Sequence, residues 1–93
     1  MGIFLKVENL SAGVTDNDLV VRFSEYGTVE SATMESGSPA ATGKRSAWVV
    51  MSNREDAEAA IDWLHDTVFR GSTISVVRAV RGEKRAFWLH LDR

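Results

Sequence analysis

The chain has 93 residues, a net charge of −2 and no cysteine. That length builds one domain with a two-layer core, and no apolar run reaches the roughly 20 residues that a membrane-spanning helix needs. Without cysteine, disulfides and thiolate metal sites are excluded. Because no charged-then-apolar segment opens the sequence, we expect an intracellular protein, in the nucleus or the cytoplasm, with no membrane contact.

The first predicted element is a strand over residues 3–8. Its side chains alternate between two faces, which is typical of a strand with one face on a core. The predicted core face carries Ile3, Leu5 and Val7, and the opposite face carries Phe4, Lys6 and Glu8. Residues 9–13 are predicted to form a loop.

A helix is predicted over residues 15–26. Thr15 is a good N-cap, and Asp18 lies in the first turn, where a carboxylate favours the helix dipole. Gly27 is expected to end the helix. The apolar residues at helical spacing are Leu19, Phe23 and Tyr26.

Two strands and a loop are predicted next. In the strand over residues 29–34 the alternation slips between Val29 and Ala32, which indicates a bulge. Residues 36–43 are small and polar and include the single proline, so we expect a loop. Residues 44–51 alternate cleanly, with Ala47, Val49 and Met51 on the core face and Lys44, Ser46, Trp48 and Val50 on the other face.

The second half closes with a helix and a strand. Asn53 is expected to cap a helix over residues 53–65, whose apolar stripe is Ala57, Ala60, Ile61 and Leu64. A turn at residues 69–71 leads to a strand over residues 73–79, with Ile74 and Val76 on the core face. The order strand-helix-strand-strand-helix-strand predicts an α+β, ferredoxin-like βαββαβ fold with both helices on one face of a four-stranded antiparallel sheet.

No residue pattern in the chain indicates catalysis, a metal or a cofactor. A glycine-lysine pair at Gly43 and Lys44 has the wrong spacing for a phosphate-binding loop and leads into a strand, not a helix. His65 and His90 are far apart and lack carboxylates at metal-ligand spacing, so we expect surface or turn histidines. We therefore expect a binding domain and not an enzyme.

Two segments carry a family resemblance. Residues 5–10, Leu-Lys-Val-Glu-Asn-Leu, resemble the shorter ribonucleoprotein motif of the RNA recognition motif family, and residues 44–51 resemble its longer octamer. Supporting apolar and glycine positions follow the family pattern across residues 3–80. The resemblance implies a domain over residues 1–80 that binds single-stranded RNA on its open sheet face, with residues 81–93 as a C-terminal extension.

The resemblance also places the stacking positions. The family usually has aromatic residues at three sheet positions, which here are Lys6, Ser46 and Trp48. Trp48 alone is aromatic, so we expect it to stack a base unless a neighbouring segment covers it. The cations expected to contact phosphates are Lys6, Lys44, Arg45, Arg78, Arg81, Lys84 and Arg85. Losing two stacking rings predicts low to moderate RNA affinity, or a sheet that binds a protein.

Two other regions suggest a protein partner or a second binding element. Val20 and Val21 lie at helix positions that the family usually fills with polar residues, and Trp63 points away from the apolar stripe of its helix. These residues form either a protein-docking patch or a local repacking. In the extension, residues 86–91 alternate. They predict either a fifth strand that adds Trp88 to the RNA-binding face, or a segment lying over Trp48.

Overall fold

A four-stranded antiparallel sheet with two helices packed on one side makes up the part of the chain that the computed structural model describes, residues 2–35 and 43–79. The strands lie in the order β2-β3-β1-β6. The elements in chain order are β1 Ile3–Leu10, α1 Asp16–Phe23, β2 Val29–Met34, β3 Arg45–Met51, α2 Arg54–Leu64, β4 Val68–Phe69, β5 Ser72–Thr73 and β6 Ser75–Ala79. The predicted ferredoxin-like fold is confirmed.

The core lies between the helices and the sheet, as the alternation of each strand and the spacing of each helix predict. Every predicted core residue of β3 is fully buried, and so are the main apolar residues of both helices. The central core residues are Leu5, Val7, Leu10, Leu19, Phe23, Ala47, Val49, Met51, Ala57, Ala60, Leu64, Ile74 and Val76. The core lies on one face of the sheet, and the opposite face carries Lys6 and Trp48.

The first helix is shorter than predicted, and the first strand is longer. α1 ends at Phe23, because the chain turns at Ser24 and Tyr26 then reaches the core from the turn. β1 continues to Leu10 because this side chain is fully buried in the core. A shift of register between Val7 and Leu10 accommodates the extra length, and Asn9 within it has a positive φ of 67°.

The bulge in the second strand was predicted, whereas the division of the last strand was not. The register between β2 and β3 shifts between Val29 and Ser31, which confirms the bulge. The predicted last strand is divided, since Ser72–Thr73 pairs with Val68–Phe69 in a small hairpin and only Ser75–Ala79 joins the main sheet. The hairpin turn at Arg70 and Gly71 has positive φ at both residues, which suits a tight two-residue turn.

The start of α1 is fixed by a reciprocal pair of hydrogen bonds. The Asp18 N–H donates to the Thr15 hydroxyl at 3.2 Å, and the Thr15 N–H donates to the Asp18 carboxylate at 3.0 Å. The Arg70 guanidinium of the β4–β5 hairpin lies 2.7 Å from the same carboxylate. The Thr15 N–H above all, and Arg70 in addition, lower the pKa of Asp18 below its ordinary value. The stability from these contacts is therefore present above the ordinary aspartate pKa and is lost as the pH falls through the depressed one.

His65 lies in the turn that follows α2, as predicted, and also has a structural role. Its Nδ1 accepts a hydrogen bond from the Val76 N–H at 3.0 Å, which joins the end of α2 to β6. Neither helix of the described ranges is long and apolar enough to cross a bilayer.

Candidate nucleic-acid interface

The sheet face opposite the helices carries two rows of side chains that run across the strands. Residues directly opposite each other in antiparallel strands share a face, so the strand register defines each row. One row consists of Thr33, Trp48, Lys6 and Val77. The neighbouring row consists of Ser31, Val50, Phe4 and Ala79. Trp48 and Lys6, which are 42 positions apart in the sequence, are thus direct cross-strand neighbours.

Trp48 lies on this open face, as the alternation of its strand predicts, and is half-buried by its neighbours. The Phe4 ring meets the indole edge-on, with ring centroids 6.4 Å apart and an interplanar angle of 71°. The Lys6 ammonium lies over the indole, 4.7 Å from the ring centroid, in a cation–π contact. The surface around Trp48 therefore combines two aromatic rings with one cation.

The carboxylate of Glu35 completes this arrangement from the end of β2. Its Oε2 lies 2.7 Å from the Lys6 ammonium and accepts a hydrogen bond from the Trp48 indole N–H at 3.0 Å. The Glu35 backbone is held as well, because its N–H donates to the Ser46 carbonyl and its carbonyl accepts from the Arg45 guanidinium at 2.9 Å. We call Lys6, Glu35 and Trp48 the Glu35 cluster.

The remaining predicted cations lie at different places. The Lys44 ammonium donates at 2.6 Å to the hydroxyl of the buried Ser72, the first residue of β5 in the β4–β5 hairpin. Arg45 contacts the Glu35 backbone, as described above. Arg78 pairs in register with the fully buried Leu5, which places it on the helix side of the sheet and away from Trp48. The other predicted site residues, Arg81, Lys84, Arg85 and Trp88, lie outside the described residues.

Two residues that contact Trp48, Phe4 and Glu35, were not among the predicted site residues. Phe4 was predicted to face outward but was not assigned to the site. It remains 39 % exposed beside Trp48 and supplies an aromatic ring near Lys6, which occupies a position that the family usually fills with an aromatic residue. The outward alternation of the first strand was the signal that could have identified it. Glu35 follows the last residue of β2, and its sequence position gives no sign of the Lys6 and Trp48 contacts.

The residues of the predicted helix-side patch differ in exposure. Trp63 on α2 is 69 % exposed and Val21 on α1 is 60 % exposed, whereas Val20 is only partly exposed. Trp63 therefore lies outside the core, whereas α2 fully buries Ala57, Ala60 and Leu64 of its predicted apolar stripe and partly buries Ile61.

Comparison with known proteins agrees with this architecture. The family model described as the RNA recognition motif matches residues 5–75, which includes both helices and most of the sheet. The chain belongs to the RNA recognition motif family. The resemblance in residues 5–10 and 44–51 is thereby confirmed.

The relatives of this RNA recognition motif domain include RNA-binding proteins. Polyadenylate-binding protein 4 of Arabidopsis thaliana is 32% identical over 84 residues, which cover 90% of this chain and 12% of that protein. This chain therefore spans about an eighth of the length of that curated relative. Among solved structures, the Mip6 RRM3 domain has a TM-score of 0.75 at 25% identity. The match covers 83% of this chain and 92% of the Mip6 chain. The Sxl-lethal protein/RNA complex has a TM-score of 0.69 at 30% identity, and the match covers 82% of this chain and 47% of the chain in that complex.

Proposed function

We propose that this domain binds single-stranded RNA, without catalysis, on the open face of its sheet, and that Trp48 stacks a base. The observation that carries the proposal is the position of the indole, at the centre of the open face on β3 with the Phe4 ring beside it. Stacking on an aromatic side chain contributes about 1–3 kcal/mol per base and tolerates many sequences. The similarity to the Sxl-lethal protein/RNA complex supports an RNA ligand.

The proposed phosphate contacts surround this platform. Lys6 lies next to Trp48 on the open face. Lys44 and Arg45 lie where β3 begins, at the end of the sheet, and we propose them as phosphate contacts for RNA that leaves the face at that end. Arg81, Lys84 and Arg85 are proposed as further cations on sequence grounds. Arg78 is left out of the interface, because it lies on the helix side. With one ring at the three usual aromatic positions and Phe4 beside it, we expect low to moderate affinity.

The proposal is tested by titrating the domain with a single-stranded RNA of mixed sequence and following backbone amide shifts by NMR. We expect shifts concentrated on β1 and β3, around Lys6 and Trp48, with the α2 amides near Trp63 unchanged. Double-stranded RNA of the same sequence is the control, since bases in a duplex are not available for stacking. Saturating single-stranded RNA without shifts on β1 and β3 would contradict the proposal.

A second candidate function is protein binding through the helix side, which the exposure of Trp63 and Val21 favours. Tryptophan is enriched at the centres of protein interfaces because it buries a large apolar area.

Since Trp63 contributes little to the core, we expect Trp63→Ala to change the melting temperature by no more than about 3 °C, which scanning calorimetry measures. RNA affinity should be unchanged. A melting temperature many degrees lower would mean that Trp63 stabilises the fold, and would contradict a role as a protein-binding residue.

For residues 81–93 we propose a strand that pairs beside β6 and extends the RNA-binding face with Trp88. Removing residues 81–93 and, separately, introducing Trp88→Ala should then both weaken RNA binding, because each removes a stacking ring. Affinities are measured by fluorescence anisotropy with the same labelled RNA. Tighter binding after truncation would instead indicate that the extension covers Trp48.

A further inference from the structure

The Glu35 cluster places an intramolecular ion pair on the surface where RNA is proposed to bind. One carboxylate oxygen, Glu35 Oε2, contacts both the Lys6 ammonium at 2.7 Å and the Trp48 indole N–H at 3.0 Å. The ammonium in turn lies over the indole ring. The side chains of Glu35 and Lys6 are 37% and 21% exposed, so RNA could reach both.

We propose that the Glu35 carboxylate competes with RNA for Lys6. In this exchange a base replaces the Lys6 ammonium over the Trp48 ring, and an RNA phosphate replaces Glu35 as the partner of Lys6. The inference rests on the proposed RNA-binding function and adds a residue that sets its affinity. A carboxylate and a phosphate present the same kind of charged acceptor oxygen to a lysine, so one ion pair can substitute for the other.

The position of the ammonium explains why the exchange is needed. A cation and a base both bind aromatic rings at the ring face. While Glu35 holds the ammonium over the indole, that part of the ring is not available for stacking. A base that stacks there must displace Lys6, and displacement breaks the contact with Glu35. Glu35 therefore lowers RNA affinity in addition to the general repulsion between an acidic residue and the RNA backbone.

The decisive variant is Glu35→Gln, which keeps the size of the side chain and removes its charge. We expect RNA affinity to rise about 1.4- to 5-fold, the range that corresponds to the loss of a partly exposed ion pair. The salt dependence should also steepen, by up to about 0.7 in the slope of log affinity against log salt, because Lys6 then neutralises a phosphate without a competing carboxylate. Glu30→Gln is the matched control, since it removes the same charge from an exposed position of β2, the strand that Glu35 directly follows.

A second substitution assigns the gain to Lys6. If the gain comes from releasing this lysine, Lys6→Gln introduced into the Glu35→Gln variant should abolish both the higher affinity and the steeper salt slope. An equal gain in Glu30→Gln, an unchanged or weaker affinity in Glu35→Gln, or a gain that survives Lys6→Gln would each overturn the competition.

The Trp48 indole resonance separates this inference from the proposed function. We expect the indole N–H signal of the free protein to shift in Glu35→Gln, and RNA to shift the wild-type signal in the same direction, because both changes remove the carboxylate from the indole. If Trp48→Ala leaves RNA affinity unchanged, the proposed function fails. If Trp48→Ala weakens binding but Glu35→Gln neither tightens it nor reproduces the RNA-induced shift, the competition alone fails.

Discussion

Trp48→Ala is expected to weaken single-stranded RNA binding by about 1–3 kcal/mol, which is roughly 5- to 150-fold. The indole lies at the centre of the open face, and its replacement removes the stacking surface itself. It also removes the ring that holds the Lys6 ammonium, so the geometry of the nearest cation is lost as well. Fluorescence anisotropy with a labelled mixed-sequence RNA, at one fixed salt concentration, measures the change.

Trp63→Ala is the matched control for this experiment. It makes the same chemical change at an exposed position on α2, which packs on the opposite side of the sheet. Phe4→Ala provides an intermediate case, with a smaller loss expected because Phe4 presents its ring beside Trp48 from the neighbouring strand. Equal affinities for the wild type and Trp48→Ala would remove the stacking platform from the proposal, whatever the controls give.

Phe23→Ala is expected to destabilise the fold by about 3–5 kcal/mol. Phe23 ends α1, has no exposed surface and is the largest fully buried side chain in the described part of the chain. Its removal leaves a cavity between α1 and the sheet that the surrounding backbone can fill only in part. Small domains have a total stability of about 5–15 kcal/mol, so this one substitution would remove a large share of it.

The measurement is urea denaturation followed by circular dichroism, compared with Val21→Ala on the same helix. Val21 is 60 % exposed, so its truncation should change the free energy of unfolding by about 0.5 kcal/mol or less. A loss below about 1 kcal/mol for Phe23→Ala would contradict the packing of α1 on the sheet.

The exchange proposed at Glu35 would affect how this sheet binds RNA without two of the aromatic rings that the family usually has. Lys6 and Ser46 occupy positions that the RNA recognition motif family usually fills with aromatic residues. The structure places Phe4 and the Lys6 ammonium around the remaining indole. On our proposals, affinity then depends on stacking by Trp48 and Trp88, on the Phe4 ring beside Trp48, and on Lys6, whose availability to RNA Glu35 controls.

The element order, the core face of each strand and the two helix caps were predictable from sequence because each depends on local information. Strand alternation assigned Ala47, Val49 and Met51 to the core, and all three are fully buried. Thr15 and Asn53 each accept a hydrogen bond from the first turn of the helix that follows, as their side-chain chemistry predicts. The end of α1 was less predictable, since Tyr26 satisfies the same apolar spacing from a turn that it would satisfy from a helix.

The sequence by itself therefore determined the fold, the core and the position of Trp48 on the open face. Only the tertiary structure decided which outward-facing side chains meet. Lys6, Glu35 and Trp48 come from separate parts of the chain, and the register of β1 and β2 against β3 brings them together. The separate register of β6 against β1 pairs Arg78 with the buried Leu5 and so places it on the helix side. Alternation assigns a residue to a face, but neighbours across a sheet depend on strand order and register, which the core packing of all four strands fixes together.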